Sequence, residues 1–160
     1  MVNLTSNTVR DSLQLISSIV QPHMKQLLKL QAKDAEDIQV ISAVLQDAIA
    51  PVVDMVYRAE DKNFVMVVQR LCREDGTDMK HERVCCALNL RGVESVQTHG
   101  FTSTETDRML DLLALMPEGD ELHLIFASDA GIRLRLKDWH LIIEDFGTRW
   151  PAQCEPKHAL

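Results

Sequence analysis

The sequence predicts an α+β domain built on a mainly antiparallel sheet of about six to eight strands. One or two N-terminal helices would pack on this sheet, which is long enough to curl into a partial barrel. Three observations indicate this fold. Helical spacing of apolar residues is confined to the first third of the chain, alternation with a period of two follows from Val52 onward, and turn residues separate the alternating runs. The length of 160 residues and a hydrophobic content of 46% suit one folded domain.

The first 23 residues differ from the rest of the chain. Their apolar residues follow helical spacing, namely Val9, Leu13, Ile16 and Val20. Pro22 ends this run, so we expect residues 1–23 to form a helical appendage packed on the domain or on a neighbour. The alternative is that they are translated sequence upstream of a start at Met24. Residues 24–160 are expected to form one globular domain.

A second helix is predicted to start after Asp34, whose carboxylate can cap the first turn. Glu36 and Asp37 then place negative charge at the positive end of the helix. One face is apolar and is expected to face the core, with the residues Ile38, Ile41, Leu45 and Ala48. Pro51 is expected to end the helix.

The remaining chain predicts a series of short strands separated by polar turns. The runs are Val52–Tyr57, Phe64–Leu71, Val84–Leu90, Val93–Thr98, Leu112–Leu115, Leu122–Phe126, Ile132–Leu136 and Trp139–Ile143. In the last two runs the apolar residues shift from even to odd positions, which would turn the side chains over. A bulge near Lys137–Asp138 would restore the core face. The chain after Gly147 is expected to be irregular and to cross the sheet end, with Trp150 filling a gap there.

Charge and cysteine content limit the functional classes. The net charge is −7 and neither half of the chain is basic, so no nucleic-acid or membrane partner is expected. No apolar run reaches the length of a membrane span, and the first residues do not resemble a secretory signal. Four cysteines without paired spacing are typical of a reduced protein, so we expect a cytoplasmic location. Adjacent Cys85 and Cys86 should point to opposite faces of one strand.

Candidate functional residues are few. The sequence contains no phosphate-binding, dinucleotide-binding, zinc-protease or serine-hydrolase motif, and no cofactor or metal is expected. Gln46 and Asp47 lie at the end of the second helix, where an aspartate opposes the helix dipole and needs a partner such as an arginine or a backbone amide. The other candidates are Arg133, Asp145, Trp150 and His158.

Several segments together resemble an uncharacterised proteobacterial family, domain-of-unknown-function family number 2948. The similar segments are Leu27–Leu30, Ser42–Ala48, Glu82–Val84, Leu112–Ala114, Leu124–Ala127, Ala130–Leu134 and Glu144–Gly147, followed by Trp150, Pro156 and His158. The chain departs from the family where Leu71, Cys72 and Arg73 follow Arg70 in place of an aromatic pair. The resemblance implies a bacterial, cytoplasmic, one-domain protein with a domain boundary near Met24, and it implies no known activity, cofactor or catalytic residue.

These observations favour a non-catalytic binding or scaffold domain for a peptide, a protein or a small ligand, rather than an enzyme. The alternative is a small-molecule hydrolase or another enzyme with a site near Arg133, Asp145 and His158. A deep cleft with perturbed titratable groups would favour the enzyme. A shallow apolar patch beside a free sheet edge would favour the binder. The sequence does not indicate an oligomeric state.

Overall fold

The chain folds into an antiparallel barrel with one helix packed against it. The computed structural model describes residues 27–73 and 82–152. Its elements are β1 (Lys29–Ala32), α1 (Ala35–Leu45), β2 (Ile49–Pro51), a 3-10 turn (Val52–Asp54), β3 (Met55–Arg58), β4 (Asn63–Cys72), β5 (Glu82–His99), β6 (Met109–Glu118), β7 (Glu121–Phe126) and β8 (Ala130–Pro151). The strand order is β1-β8-β5-β4-β2-β6-β7, and β7 pairs back with β8 to close six strands into a barrel. The predicted fold class is confirmed. The predicted appendage of residues 1–23 lies outside the described residues.

Alternating side chains fill the interior of the barrel. Inward positions of β4 and β5 carry Phe64, Met66 and Val68 opposite Cys86, Leu88 and Leu90, all buried. The same alternation places Leu124 and Phe126 of β7 inside the barrel, as predicted. Because each strand has one apolar and one mixed face, the pairing register follows from burial of the apolar one.

The helix α1 begins as the sequence predicts. Asp34 accepts a hydrogen bond from the Asp37 N–H at 2.8 Å, and Asp37 accepts one from the Lys33 N–H. The helix packs against β6, where Ser42 Oγ accepts the Leu115 N–H at 2.9 Å beside a register shift in β6. No helix in the described part of the chain is long and apolar enough to cross a membrane.

The prediction that this helix continues to Pro51 is wrong. It ends at Leu45, and Asp47 adopts a left-handed φ of 68°. The chain therefore turns sharply, and Ile49–Pro51 pairs with β4 and β6 as β2.

The predicted bulge in β8 is confirmed. Cα pairing between β5 and β8 runs through Arg91↔His140 and then jumps to Val93↔Leu136. Asp138 has a left-handed φ of 48° within the looped-out residues, and Gly92 opposite has a φ of 85°. The extra residues of β8 turn its apolar side chains back toward the core.

The predicted irregular tail after Gly147 is wrong. β8 continues to Pro151, and Trp150 pairs with Arg83 of β5. Gly147, with a φ of 75°, lies in a second register shift that the strand absorbs without ending. Proline is tolerated at Pro151 because it is the last residue of the strand, where little pairing is lost.

We predict that Gly92→Ala destabilises the protein much more than Gly119→Ala. Both glycines have a positive φ, which costs an alanine about 1–2 kcal/mol. A Cβ on Gly92 would also lie 2.8 Å from the Cα of Trp139, whereas a Cβ on Gly119 meets nothing within 4 Å. Crowding should add about 1–3 kcal/mol for Gly92→Ala. Urea unfolding of the two variants measures the difference, and equal midpoints would contradict this description of the bend.

Candidate functional site: a hollow over Gly131

Outward-facing residues of β5, β8 and β7 form a regular array before the bend. Its rows across the three strands are Ser95–Arg135–Glu121, Gln97–Arg133–His123 and His99–Gly131–Ile125. Gly131 is the one member of this array that lacks a side chain. The ring of His99 takes the space that this leaves in the last row.

Beside this ring is a hollow of about 360 Å³, lined by residues that include Gln97, His99, His123, Ile125 and Arg133. The imidazole of His99 lies over Gly131, so a Cβ at this position would collide with the ring. A glycine is thus what allows His99 to lie across the sheet. The same hollow is bordered by Asp129, in the turn between β7 and β8.

Arg133 is held in place by Gln97. The Oε1 atom of Gln97 accepts hydrogen bonds from Nε of Arg133 at 3.2 Å and from Nη2 at 2.6 Å. Glu121 lies further away, with its Oε2 atom 3.9 Å from Nε of Arg133. Within the described residues, Nη1 of Arg133 has no hydrogen-bond partner. The guanidinium is therefore oriented and still has donors to offer.

The two histidines of the hollow differ in their partners. Nε2 of His123 lies 2.9 Å from Oε2 of Glu121, which fixes the ring against the sheet. His99 is exposed and makes no hydrogen bond with any described residue. Its ring nitrogens are available to a ligand.

Asp145, another predicted site residue, lies on the opposite side of the bend and points into the barrel. Its carboxylate accepts two hydrogen bonds from Arg70, at 2.7 Å from Nε and 2.6 Å from Nη2, and both side chains are fully buried. The Leu28 N–H donates a further hydrogen bond at 2.9 Å. Burial by itself would raise the pKa of Asp145, but these hydrogen bonds and the charge of Arg70 outweigh it and lower the pKa.

Cys86 lies beside this ion pair. Burial, together with the neighbouring charge of Asp145, raises the pKa of the Cys86 thiol to about 12. Such a thiol stays protonated and is a poor nucleophile. Cys85 points to the outer face, so the predicted opposite orientation of the two cysteines is confirmed.

Asp47 has the arginine partners that its position after a helix requires. Its carboxylate accepts a hydrogen bond from Arg73 Nη2 at 2.6 Å, and the backbone carbonyl of Gln46 accepts another from Arg73 Nη1. Arg83 donates to the carbonyls of Asp47 and Gln69, and burial lowers the pKa of this arginine despite nearby carboxylates. These bonds join the end of α1 to β4 and β5.

The predicted site residues that the structure describes therefore lie in three separate places. Asp47 and Trp150 both lie beside Arg83, and Asp145 lies in the interior next to Cys86. Arg133 lies in the hollow on the other half of β8, so Arg133 and Asp145 are not brought together. His158 lies outside the described residues.

Sequence reasoning missed Gln97, His99 and Gly131. His123 gives no local signal beyond its outward position in a strand. Nothing local in the sequence links Gly131, near the start of β8, to His99 on another strand. A signal for Arg70 was present, since it continues the inward alternation of Phe64, Met66 and Val68.

Comparison with known proteins gives a family and no function. The family described as "Protein of unknown function (DUF2948)" matches residues 28–158, which is most of the chain. The chain belongs to this family. No curated protein and no solved structure matches it. Among the described residues, no group of three or more histidine, cysteine, aspartate or glutamate side chains is placed to hold a metal ion.

We predict that Arg70→Met costs about 3–5 kcal/mol at neutral pH, because it leaves the carboxylate of Asp145 buried without its partner. The double variant Arg70→Met/Asp145→Leu removes both charges and should recover most of this loss. Urea unfolding gives the free energy of unfolding of the parent and of both variants. If Arg70→Met were as stable as the parent, the buried pairing of Arg70 with Asp145 would be contradicted.

The ion pair should also make the parent sensitive to acid. The pKa of Asp145 is lower in the folded protein than in the unfolded chain. The stabilisation from the ionised carboxylate is therefore fully present at a pH above the pKa of the unfolded state. It is lost as the pH falls through the lower pKa of the folded state. Between neutral and acidic pH, the free energy of unfolding should therefore fall more in the parent than in the double variant. Equal decreases would contradict a lowered pKa of Asp145 in the folded protein.

Proposed function

We propose that this domain is a non-catalytic cytoplasmic binding protein for a small monocarboxylate with an apolar body. The ligand would occupy the hollow between His99, His123 and Arg133. The observation that carries this proposal is this hollow, with the oriented guanidinium of Arg133 on one border and on the other the ring of His99, which makes no hydrogen bond with any described residue.

A carboxylate suits the donors at the hollow. An arginine presents parallel N–H groups that match the two oxygens of a carboxylate. Gln97 holds the guanidinium of Arg133 before any ligand arrives, which lowers the entropy lost on binding. His99 adds a donor from the neighbouring strand.

The charges around the hollow favour one negative charge over two. Glu121 is in hydrogen-bond contact with His123, and Asp129 borders the same space. Both carboxylates would repel a dianion such as a phosphate monoester. The net charge of −7 acts in the same direction.

The shape of the hollow supports an apolar body on the ligand. Ile125 lines it together with the chain around Phe126, Ala130 and Ile132, so most of the wall is apolar. A volume of about 360 Å³ is at the small end of ligand pockets, which run from about 300 to 1,000 Å³. It would hold a compact molecule rather than a folded peptide.

The cytoplasmic part of the proposal has support from the thiols. Cys85 and Cys86 are free thiols in the structure. Free thiols are typical of proteins that work in a reducing compartment.

We predict that benzoate binds in the hollow with a Kd of about 1 mM, as suits a fragment of this size. Arg133→Gln should weaken binding by at least about tenfold, because it removes a charge-assisted hydrogen bond. Arg135→Gln is the matched control, since it removes an arginine from the same face of β8 outside the hollow, and it should stay within about twofold of the parent. Saturation-transfer NMR measures the three affinities, with benzamide as the uncharged ligand. Equal loss in both variants, or equal binding of benzamide, would contradict the proposal.

Gly131→Ala tests the hollow itself. The added methyl would displace the flexible ring of His99 and meet the Leu124 carbonyl oxygen at 3.1 Å. We expect benzoate binding to be abolished while stability falls by only about 1 kcal/mol. Retained binding in Gly131→Ala would show that the ligand does not depend on the position of the His99 ring over this glycine.

A further inference from the structure

The outer surface of the barrel on the other side of the bend is largely apolar, and no element of the described residues covers it. Outward positions of β4, β5 and β8 carry Val65, Val67, Cys85, Ala87, Ile142 and Phe146, with the polar Gln69, Asn89 and Glu144 in the same rows, and we call this surface the apolar outer face. Val56 of β3 extends it on one side and is 52% exposed, while Phe146 is 44% exposed. Exposed apolar surface of this kind on a sheet often marks an interaction site.

The chain itself enters at the edge of this face. Leu27 is the first described residue, is 47% exposed, and precedes the backbone hydrogen bond between the Asp145 N–H and the Leu28 carbonyl. Leu27 therefore lies next to Phe146, at the β1 side of the face. The 26 residues before it start their path from this point.

We propose that residues 9–20 dock on the apolar outer face as an amphipathic helix. Their stripe of Val9, Leu13, Ile16 and Val20 supplies the aliphatic side chains that a surface of Val, Ala and Cys accommodates. The proposal is independent of the ligand proposed for the hollow.

The dimensions agree with this arrangement. Twelve helical residues span about 18 Å. The five strands from β3 to β1 are spaced about 4.8 Å apart and so span roughly 19 Å. Residues 21–26 can reach up to about 20 Å, which is enough for the chain to turn from Leu27 back over the sheet. Pro22 would end the helix at the start of this connection.

The family match begins at residue 28, so the docking segment is an addition to the shared domain. Its role would be to cover a surface that is otherwise open to association. Charge does not oppose docking, because residues 9–20 carry only Arg10 and Asp11.

Alkylation of Cys85 in the full-length chain tests the proposal. Cys85 lies within the apolar outer face, whereas Cys72 and Cys86 are buried in the core. A Cys154→Ser background removes the fourth thiol. The variant Leu13→Glu/Ile16→Glu charges the stripe, and Gln14→Glu/Ser18→Glu adds the same charge to the opposite side of the predicted helix.

Maleimide labelling at one fixed pH, read by peptide mass spectrometry, gives the rate at Cys85 in each protein. We expect the stripe variant to react at least about tenfold faster than both the parent and the control variant, with Cys86 unlabelled in all three. Equal rates in the three proteins would overturn the proposal. Protection of Cys85 that grows with protein concentration in the parent would also overturn it, since a second copy would then be the cover.

Discussion

The close approach of Gly92 to the backbone of β8 is the constraint on which the rest of this structure depends. β5 and β8 are the two longest strands, and they pair with each other along most of their length. At Gly92 the backbone atoms of Lys137 and Trp139 come so near that a side chain has no room. Because of this bend, β5 and β8 each continue through both halves of the barrel, and the apolar side chains of both strands face the interior on either side of it. The hollow over Gly131 and the apolar outer face are the two surfaces that this bend separates.

The interior beyond the bend is held by charge as well as by apolar packing. Arg70 and Asp145 are both removed from water, and such a pair is tolerated only when its hydrogen bonds are satisfied. Asp145 uses its carboxylate for Arg70 and for the Leu28 N–H, and its own N–H for the Leu28 carbonyl. One side chain therefore joins β4, β8 and the residue before β1. The same contacts fix the place where the chain enters the sheet.

The parts of this fold that could be predicted from sequence are those with local causes. The shift of apolar residues between Leu136 and Trp139 predicted the bulge, because side-chain alternation in a strand leaves no other way to keep both runs inside. Asp34 and Asp37 marked the start of the helix. The path after Gly147 was predicted wrongly, because the pairing of Trp150 with Arg83 depends on a distant strand.

The candidate site was harder to predict for the same reason. Arg133 is one of the candidates that the sequence offers, but its partner Gln97 and the ring of His99 come from another strand, and only the pairing register brings them together. Gly131 was not predicted, because a glycine that makes room for a distant ring has no local signature. Arg70 is different, since it continues the alternation of the inward-facing Phe64, Met66 and Val68, and this pattern indicates that its side chain points into the barrel.

The most direct test of this account is a map of backbone amide shifts during a benzoate titration of the full-length protein. Two-dimensional ¹H–¹⁵N NMR reports every strand at once. The account predicts saturable shifts around Gly131, His99 and Arg133, with residues of the apolar outer face such as Ala87 and Cys85 unchanged. Shifts centred on the apolar outer face, or no saturable shifts at Gly131, would contradict it.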